Sequence, residues 1–223
     1  MLKKQWVLFF GVFLLLSLAD AILLTYIYHY INIIQPDLCP FCGSKYSFFD
    51  GTTVAESPHA RLVVIPVAVL GIFAYLFLAV FLIVVYFLKR EELKDYLAVV
   101  YPLLWVMFVY SVYKLFQSVF IIQSVCIYCI LLDICLLGMI VSCKKIVESN
   151  IAEILSRCGD FIGSFFSLRN RFNVALVAAA FVISSLFAFS VDHHYRYQFT
   201  VKNAKKIDAQ KDRMIVLLKE MIN

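Results

Sequence analysis

Residues 124–145 read SVCIYCILLDICLLGMIVSCKK: a Cys-x-x-Cys pair, Cys126 and Cys129, opens an apolar run from about Ser124 to Ser142, and Lys144 and Lys145 close it. A run of this length can cross the hydrocarbon core of a bilayer as a helix. Lysines gather on the cytoplasmic side of such helices. The dithiol therefore belongs at the opposite, outer edge of the membrane.

The rest of the chain reads the same way. Of its residues 63% are hydrophobic and 16% charged, with a mean hydropathy of +0.89, against roughly 45–50% and about 25% in a soluble domain. No water-soluble fold hides that much apolar surface. Just before the quoted stretch, a third helix is predicted from about Tyr96 to Ile121. A second runs from about Leu62 to Leu88, with Pro66 and Gly71 tolerated inside it, and ends on Lys89, Arg90 and Lys94. A first runs from about Trp6 to Ile34 behind Lys3 and Lys4. The triplet Ala19 to Ala21 fits a signal-peptide cleavage site, but the apolar stretch continues past it through Ile22, Leu23 and Leu24.

Residues 35–61, rich in Pro, Gly and charge, form a long outer loop, and Ser57-Pro58 can start a short helix at the membrane surface. Residues 143–172 read as an interfacial cytoplasmic segment. A fifth helix over 173–191 leaves a basic tail, 192–223, outside. That tail strains the charge rule, and a fifth segment lying flat on the surface would put it inside. The expected fold is thus an all-α integral membrane protein, with a four-helix bundle over 1–142 and a fifth transmembrane helix. The net charge of +5 is scattered, which suits cytoplasmic anchoring rather than nucleic-acid binding.

Seven cysteines stand at 39, 42, 126, 129, 135, 143 and 158. Cys39-Pro-Phe-Cys42 lies in the outer loop, on the same side as Cys126 and Cys129. Two Cys-x-x-Cys pairs can bind zinc, but such sites usually separate the pairs by about 15–20 residues, and here a helix hairpin intervenes, so no metal is expected. In an oxidising compartment close dithiols exchange disulfides through thiolate attack. A structural-staple reading competes, although a disulfide closing so short a loop stabilises little. A dithiol embedded in a membrane needs an electron acceptor, and a helix bundle offers an apolar pocket for a lipid-soluble quinone. Tyr128, Phe116, Phe120, Tyr113, Phe73 and Tyr75 can wall such a pocket or simply face lipid. Cys135, Cys143 and Cys158 are expected to be free thiols with packing roles.

From Leu18 to Leu137 the chain resembles the vitamin K epoxide reductase family. The resemblance rests on Leu24-Thr25-Tyr26 with His29, Ser57-Pro58-His59-Ala60-Arg61, Ile65-Pro66-Val67-Ala68-Val69-Leu70-Gly71 and Cys126-Ile127-Tyr128-Cys129. It implies a four-helix bundle around a quinone, ubiquinone or menaquinone. Electrons would pass from a thioredoxin-like partner to the loop pair, then to the buried pair, then to the quinone. By position, Cys129 would be the quinone-reactive cysteine, Cys126 its exchange partner, and Cys39 with Cys42 the shuttle pair. Ser57, Tyr128, Phe73 and Asp133 are the expected quinone contacts.

Two departures stand out. The family's loop cysteines are usually further apart, the second near the Ser-Pro step, where Gly51 stands here. No thioredoxin-like domain follows the fifth helix, so a separate extracytoplasmic partner of the DsbA type is expected. The setting would be a bacterial inner membrane, with the site facing the periplasm. A DsbB-type quinone reductase is the runner-up, and a scaffold or transporter subunit with incidental cysteines is the non-enzymatic alternative.

Three charges, Asp20, Lys114 and Asp133, fall inside apolar runs, where each costs roughly 2.5–3.5 kcal/mol on insertion scales. Lys114 can snorkel outward or pair with an acid. Asp133 follows Cys129 by four residues and so shares its helical face. As a protonated acid it can donate to a quinone carbonyl, the role a hydroxyl plays at this position in the family.

Overall fold

The computed structural model describes residues 4–33, 49–62, 65–166 and 171–222. Among the described residues five helices are long and apolar enough to cross a membrane: Lys4–Ile33, Val67–Leu88, Leu93–Ile122, Ile127–Val147 and Phe172–Lys205. The first is α1. A six-residue helix, α2, spans Gly51–Glu56, α3 spans Val67–Leu88, α4 spans Leu93–Gln117 and α5 spans Ile127–Val147. An amphipathic helix, α6 (Ile151–Phe166), and a long α7 (Arg171–Ile222) complete the chain.

The buried residues of α1 show how the bundle forms. Phe10, Leu14, Ser17, Ala21, Thr25 and Tyr28 recur every three or four positions, giving one inward stripe on a helix of 3.6-residue period. That stripe packs on α5 and α3, and α5 packs in turn on α4. At Gly71 of α3 an added Cβ would sit 3.4 Å from the Ala21 Cβ, so glycine lets α3 come close to α1. Buried Leu136, Met139 and Cys143 of α5 meet Leu97 and Leu104 of α4 in one continuous core.

α7 packs on α3 and α1. Its buried residues, Asn173, Leu176, Ala180, Ser184, Ala188 and Asp192, form a stripe of mostly small side chains, which permits close helix approach in a membrane. At one end Asn173 accepts a hydrogen bond from the Tyr96 hydroxyl at 2.6 Å, and Lys89 lies over the Phe172 ring. At the other, Asp192 meets His29. α7 therefore runs the full height of the bundle, parallel to α1, and does not lie across its end. Its tail emerges at the end of the bundle that carries α2 and Cys126.

Three boundaries differ from the sequence reading. Pro66 is not inside a helix: Arg61–Leu62 pairs antiparallel with Ile65–Pro66, and α3 starts at Val67, since proline fits a helix start but not its interior. The Ser57-Pro58 step opens only a 3-10 turn, Pro58–Ala60, and the surface helix lies just before it, as α2. The fifth helix continues to Ile222, because no glycine or proline interrupts residues 172–223.

At the opposite end, α6 lies against the start of α4. Arg157 pairs with Asp95 at 2.6 Å, and Phe161 meets Tyr96 edge-on.

Candidate functional site

The connection between α4 and α5 places the buried dithiol. After Gln117 the helix widens to a π-turn over Ser118–Ile122, and Gln123 turns left-handed at φ 57°. Such a turn ends the helix and changes the chain's direction. Cys126 then caps α5 in an extended conformation, and its carbonyl accepts from the amides of Cys129 at 3.1 Å and Ile130 at 3.3 Å. Both cysteines are thiols here, with Cys126 buried and Cys129 half-buried. The neighbouring Cys129 thiol holds the Cys126 thiol below its ordinary range. Burial opposes this, and the amides of Tyr128 and Cys129 at the helix start add to it.

Both cysteines line a cavity of about 310 Å³ between α1, α3, α4 and α5, within the roughly 300–1,000 Å³ of small-molecule sites. Its walls are mostly apolar. Ala21, Leu24 and Ile27 of α1 face Val67, Leu70 and Ala74 of α3, with Met107 and Leu115 of α4 and Leu132 of α5. Its lining residues that carry polar groups include Tyr28, Tyr75, Tyr110, Ser111 and Lys114.

A roof made of α2 and the 3-10 turn closes one end. Asp50 caps α2, accepting from the amides of Thr52 at 2.9 Å and Thr53 at 3.4 Å and from the Thr53 hydroxyl at 2.8 Å. Burial pushes the Asp50 carboxyl up, but the backbone and side-chain donors of Thr52 and Thr53 together outweigh it and hold it below the ordinary carboxylate range. The Ser124 hydroxyl fastens the roof to the dithiol's own connection: it accepts from the Asp50 amide at 3.2 Å and donates to the Asp50 carbonyl at 2.8 Å. From the other sides, Asn32 donates to the Ala55 carbonyl at 3.3 Å and Lys114 to the His59 carbonyl at 3.3 Å.

The residues expected at the site fall in different places. Cys126, Cys129 and Ser57 line the cavity together. The Ser57 hydroxyl already donates to the Val54 carbonyl at 2.8 Å, so toward the cavity it offers lone pairs rather than a proton. Phe73 faces α7, ring to ring with Phe181 at 5.3 Å. Tyr128 packs beside Ile27 and Ile31 rather than on the cavity wall. Tyr113, Phe116 and Phe120 are exposed on the outside of the bundle, whereas Tyr75 is a buried wall residue. Cys39 and Cys42 lie outside the described residues.

Asp133 is buried one turn below Cys129 but is not itself on the wall. Its Oδ1 contacts the Ser111 hydroxyl, and its Oδ2 has no hydrogen-bond partner. Among the described residues Lys114 pairs with no acid; it spans the His59 carbonyl and the Tyr110 ring, 5.6 Å away. A second buried acid, Asp20, also has an oxygen without a hydrogen-bond partner, as does the hydroxyl of buried Ser17 nearby on α1. Sequence reasoning passed over Ser111. A signal was present, for Met107, Ser111, Lys114 and Ser118 recur at helical spacing, so one face of α4 carries polar groups in an otherwise apolar run.

An apolar chamber closed on one side by a hydrogen-bonded roof, with a dithiol on its wall and a hydroxyl opposite, fits a flat lipid-soluble molecule bearing carbonyl oxygens. Residues 7–141 match the profile of the Vitamin K epoxide reductase family, and the chain belongs to that family. No curated protein and no solved structure matches the chain. Members of the family are membrane thiol oxidoreductases that reduce quinones and generally oxidise thioredoxin-like partners.

Proposed function

We propose that this chain oxidises a thioredoxin-like protein at the outer face of a bacterial inner membrane and passes the electrons to ubiquinone or menaquinone, thereby supporting disulfide formation. The observation that carries this reading is that Cys126 and Cys129 share a wall with an apolar cavity large enough for a quinone ring. Cys39 and Cys42 take electrons from the partner and exchange with Cys126. Cys126 suits that step, because a thiol held below its ordinary range offers more thiolate for attack or departure at neutral pH.

A bound quinone supplies a two-electron acceptor that also takes up two protons. The chain's residues supply the rest. Closing the Cys126–Cys129 disulfide releases two electrons and the two thiol protons, so dithiol plus quinone gives disulfide plus hydroquinone. Leu24, Ile27, Leu70 and Leu132 keep water from the reacting sulfur. The roof holds the wall in place through Ser124 and Lys114.

The test is a single turnover. Purified protein is reduced, freed of reductant and mixed anaerobically with ubiquinone or menaquinone. With quinone in excess the reading expects two hydroquinones per protein, one for each of its two dithiols, and a Cys126–Cys129 disulfide by peptide mapping. A reduced protein that leaves both quinones oxidised would overturn it.

A further inference from the structure

Asp133 presents a physical problem. It lies in a membrane-spanning helix with one oxygen on a serine hydroxyl, the other without a hydrogen-bond partner, and no ion pair among the described residues. A bare carboxylate there is costly, and Lys114, three residues from Ser111 on α4, is turned to the His59 carbonyl instead. The neutral acid is the form that fits this environment, since it carries its own proton and needs no counter-charge.

The protonation state of Asp133 decides what Ser111 can offer the cavity. Ser111 lines the wall, and Asp133 stands behind it. A hydroxyl has one proton to give and lone pairs to receive with. Beside a carboxylate, Ser111 must donate backward to Asp133, leaving only lone pairs toward the cavity. Beside the acid, Asp133 donates to Ser111 Oγ, and the serine proton is free to point forward. The pair is thus a two-position device: a donor toward the cavity while Asp133 is protonated, an acceptor once it is not.

We propose that Ser111 and Asp133 form a proton relay for the cavity, with Ser111 as the residue that touches a carbonyl oxygen of the bound quinone and Asp133 as the positioning acid behind it. This rests on the quinone reading above. Ser111 Oγ gives its proton forward as that oxygen gains electron density, and takes the Asp133 proton in the same movement. Asp133 is left as a carboxylate, and Ser111 then faces the cavity as an acceptor, matched to a hydroxyl that now donates. One of the two protons released as Cys126 and Cys129 close their disulfide resets Asp133, which follows Cys129 by one helical turn. Electrons move from the two sulfurs and both protons come from the two thiols, so each turnover returns the relay to its starting state.

The experiment uses the full chain in lipid nanodiscs, with Ser111→Ala, Ser111→Thr and Asp133→Asn. The first readout needs no quinone: infrared difference spectroscopy of the reduced protein follows the protonated-carboxyl stretch. A band that disappears in Asp133→Asn and moves to a higher, less hydrogen-bonded frequency in Ser111→Ala is expected. The second is single-turnover quinone reduction across pH. Ser111→Ala and Asp133→Asn should each slow it at least tenfold, the double variant should be no slower than either single one because the pair acts as a unit, and Ser111→Thr should restore most of the rate.

A normally folded Ser111→Ala protein with wild-type turnover, or no carboxyl band assignable to Asp133, would overturn the relay. Failure of the wild-type protein to reduce any quinone, with the carboxyl band present and sensitive to Ser111, would instead sink the quinone reading.

Discussion

The Nε2 of His29 lies 2.7 Å from Oδ1 of Asp192, joining the C-terminal end of α1 to α7, while Arg196 holds the second carboxylate oxygen at 3.2 Å. Both partners of the first contact are buried, and the same two helices also meet through the rings of Tyr26 and Tyr30 against Tyr195 and Phe199. Asp192→Leu strands a buried imidazole and should cost about 1–3 kcal/mol of stability. Asp192→Asn keeps an acceptor for His29 and should cost less. Denaturation of the purified variants in a fixed detergent measures both, and equal midpoints for Asp192→Leu and wild type would show that the contact does not hold the helices.

The four cysteines of the two Cys-x-x-Cys pairs should be indispensable and the other three not. Single Ala variants of Cys39, Cys42, Cys126 and Cys129 should lose dithiol-dependent quinone reduction. Cys143, buried and donating to the Leu97 carbonyl at 3.3 Å, should on replacement by Ala lower thermal stability but leave turnover intact. Cys135→Ala and Cys158→Ala should also turn over normally. Full activity without Cys129 is the result that contradicts the mechanism.

Cys126 should alkylate with an acid-shifted profile. Because the Cys129 thiol is the largest influence holding it below the ordinary thiol range, its thiolate should persist to lower pH than that of a free cysteine. In Cys129→Ala that influence is gone while burial still acts, so the midpoint should move upward. Iodoacetamide rates against pH in the two proteins give the comparison, and an unchanged or lower midpoint in Cys129→Ala would refute it.

Asp50 should make the roof sensitive to acid. Its folded-state carboxyl is held below the unfolded value, so its contribution is complete above the unfolded value and is lost as pH falls through the folded one. Asp50→Ala removes a helix N-cap, typically worth about 1 kcal/mol. Hydrogen exchange at the Thr52 and Thr53 amides should be faster in the variant at neutral pH. That difference should vanish in strong acid.

The charge pattern predicts that the residue 35–61 loop lies outside and the Lys89–Lys94 turn inside. Single cysteines introduced at each, on a background without reactive thiols, should react with an impermeant maleimide only in the loop. Equal protection of both positions in intact cells would reverse or void this orientation.

Much of this architecture was legible because its signals were chemical rather than conformational. Apolar runs of membrane length bounded by lysines point to the membrane-spanning helices, and the Cys126/Cys129 pair to a dithiol that here lines the cavity. Pro66 was misread because an apolar run continues across it, while its missing N–H still sets where hydrogen bonding can begin. The roof helix Gly51–Glu56 is too short to show periodicity, although Asp50 ahead of Thr52 and Thr53 is a capping signal. Tyr128 and Phe73 were assigned to the wall by residue type alone. Their neighbours, α1 and α7, turn them elsewhere, and that depends on helix rotation, which a sequence without alignment does not reveal. Ser111 escaped notice because a serine inside an apolar helix usually bonds its own backbone, and only the facing Asp133 gives it another partner.

The continuity of α7 has a mechanical consequence. Its 52 residues, at about 1.5 Å each, make a rod about 78 Å long, against roughly 30 Å of hydrocarbon. More than half of it therefore stands clear of lipid. Pinned at its base by Asn173 and Tyr96, and at its waist by Asp192 on His29 and Phe199 on Tyr26 and Tyr30, it behaves as a lever whose arm beyond Phe199, to residue 222, reaches about 35 Å. A tilt of about 5° at the waist moves the far end by about 3 Å, several times the displacement at the pin. Since His29 directly follows Tyr28, a wall residue of the cavity, a shift of α1 too small to notice at the chamber would be displayed, enlarged, far out in the water.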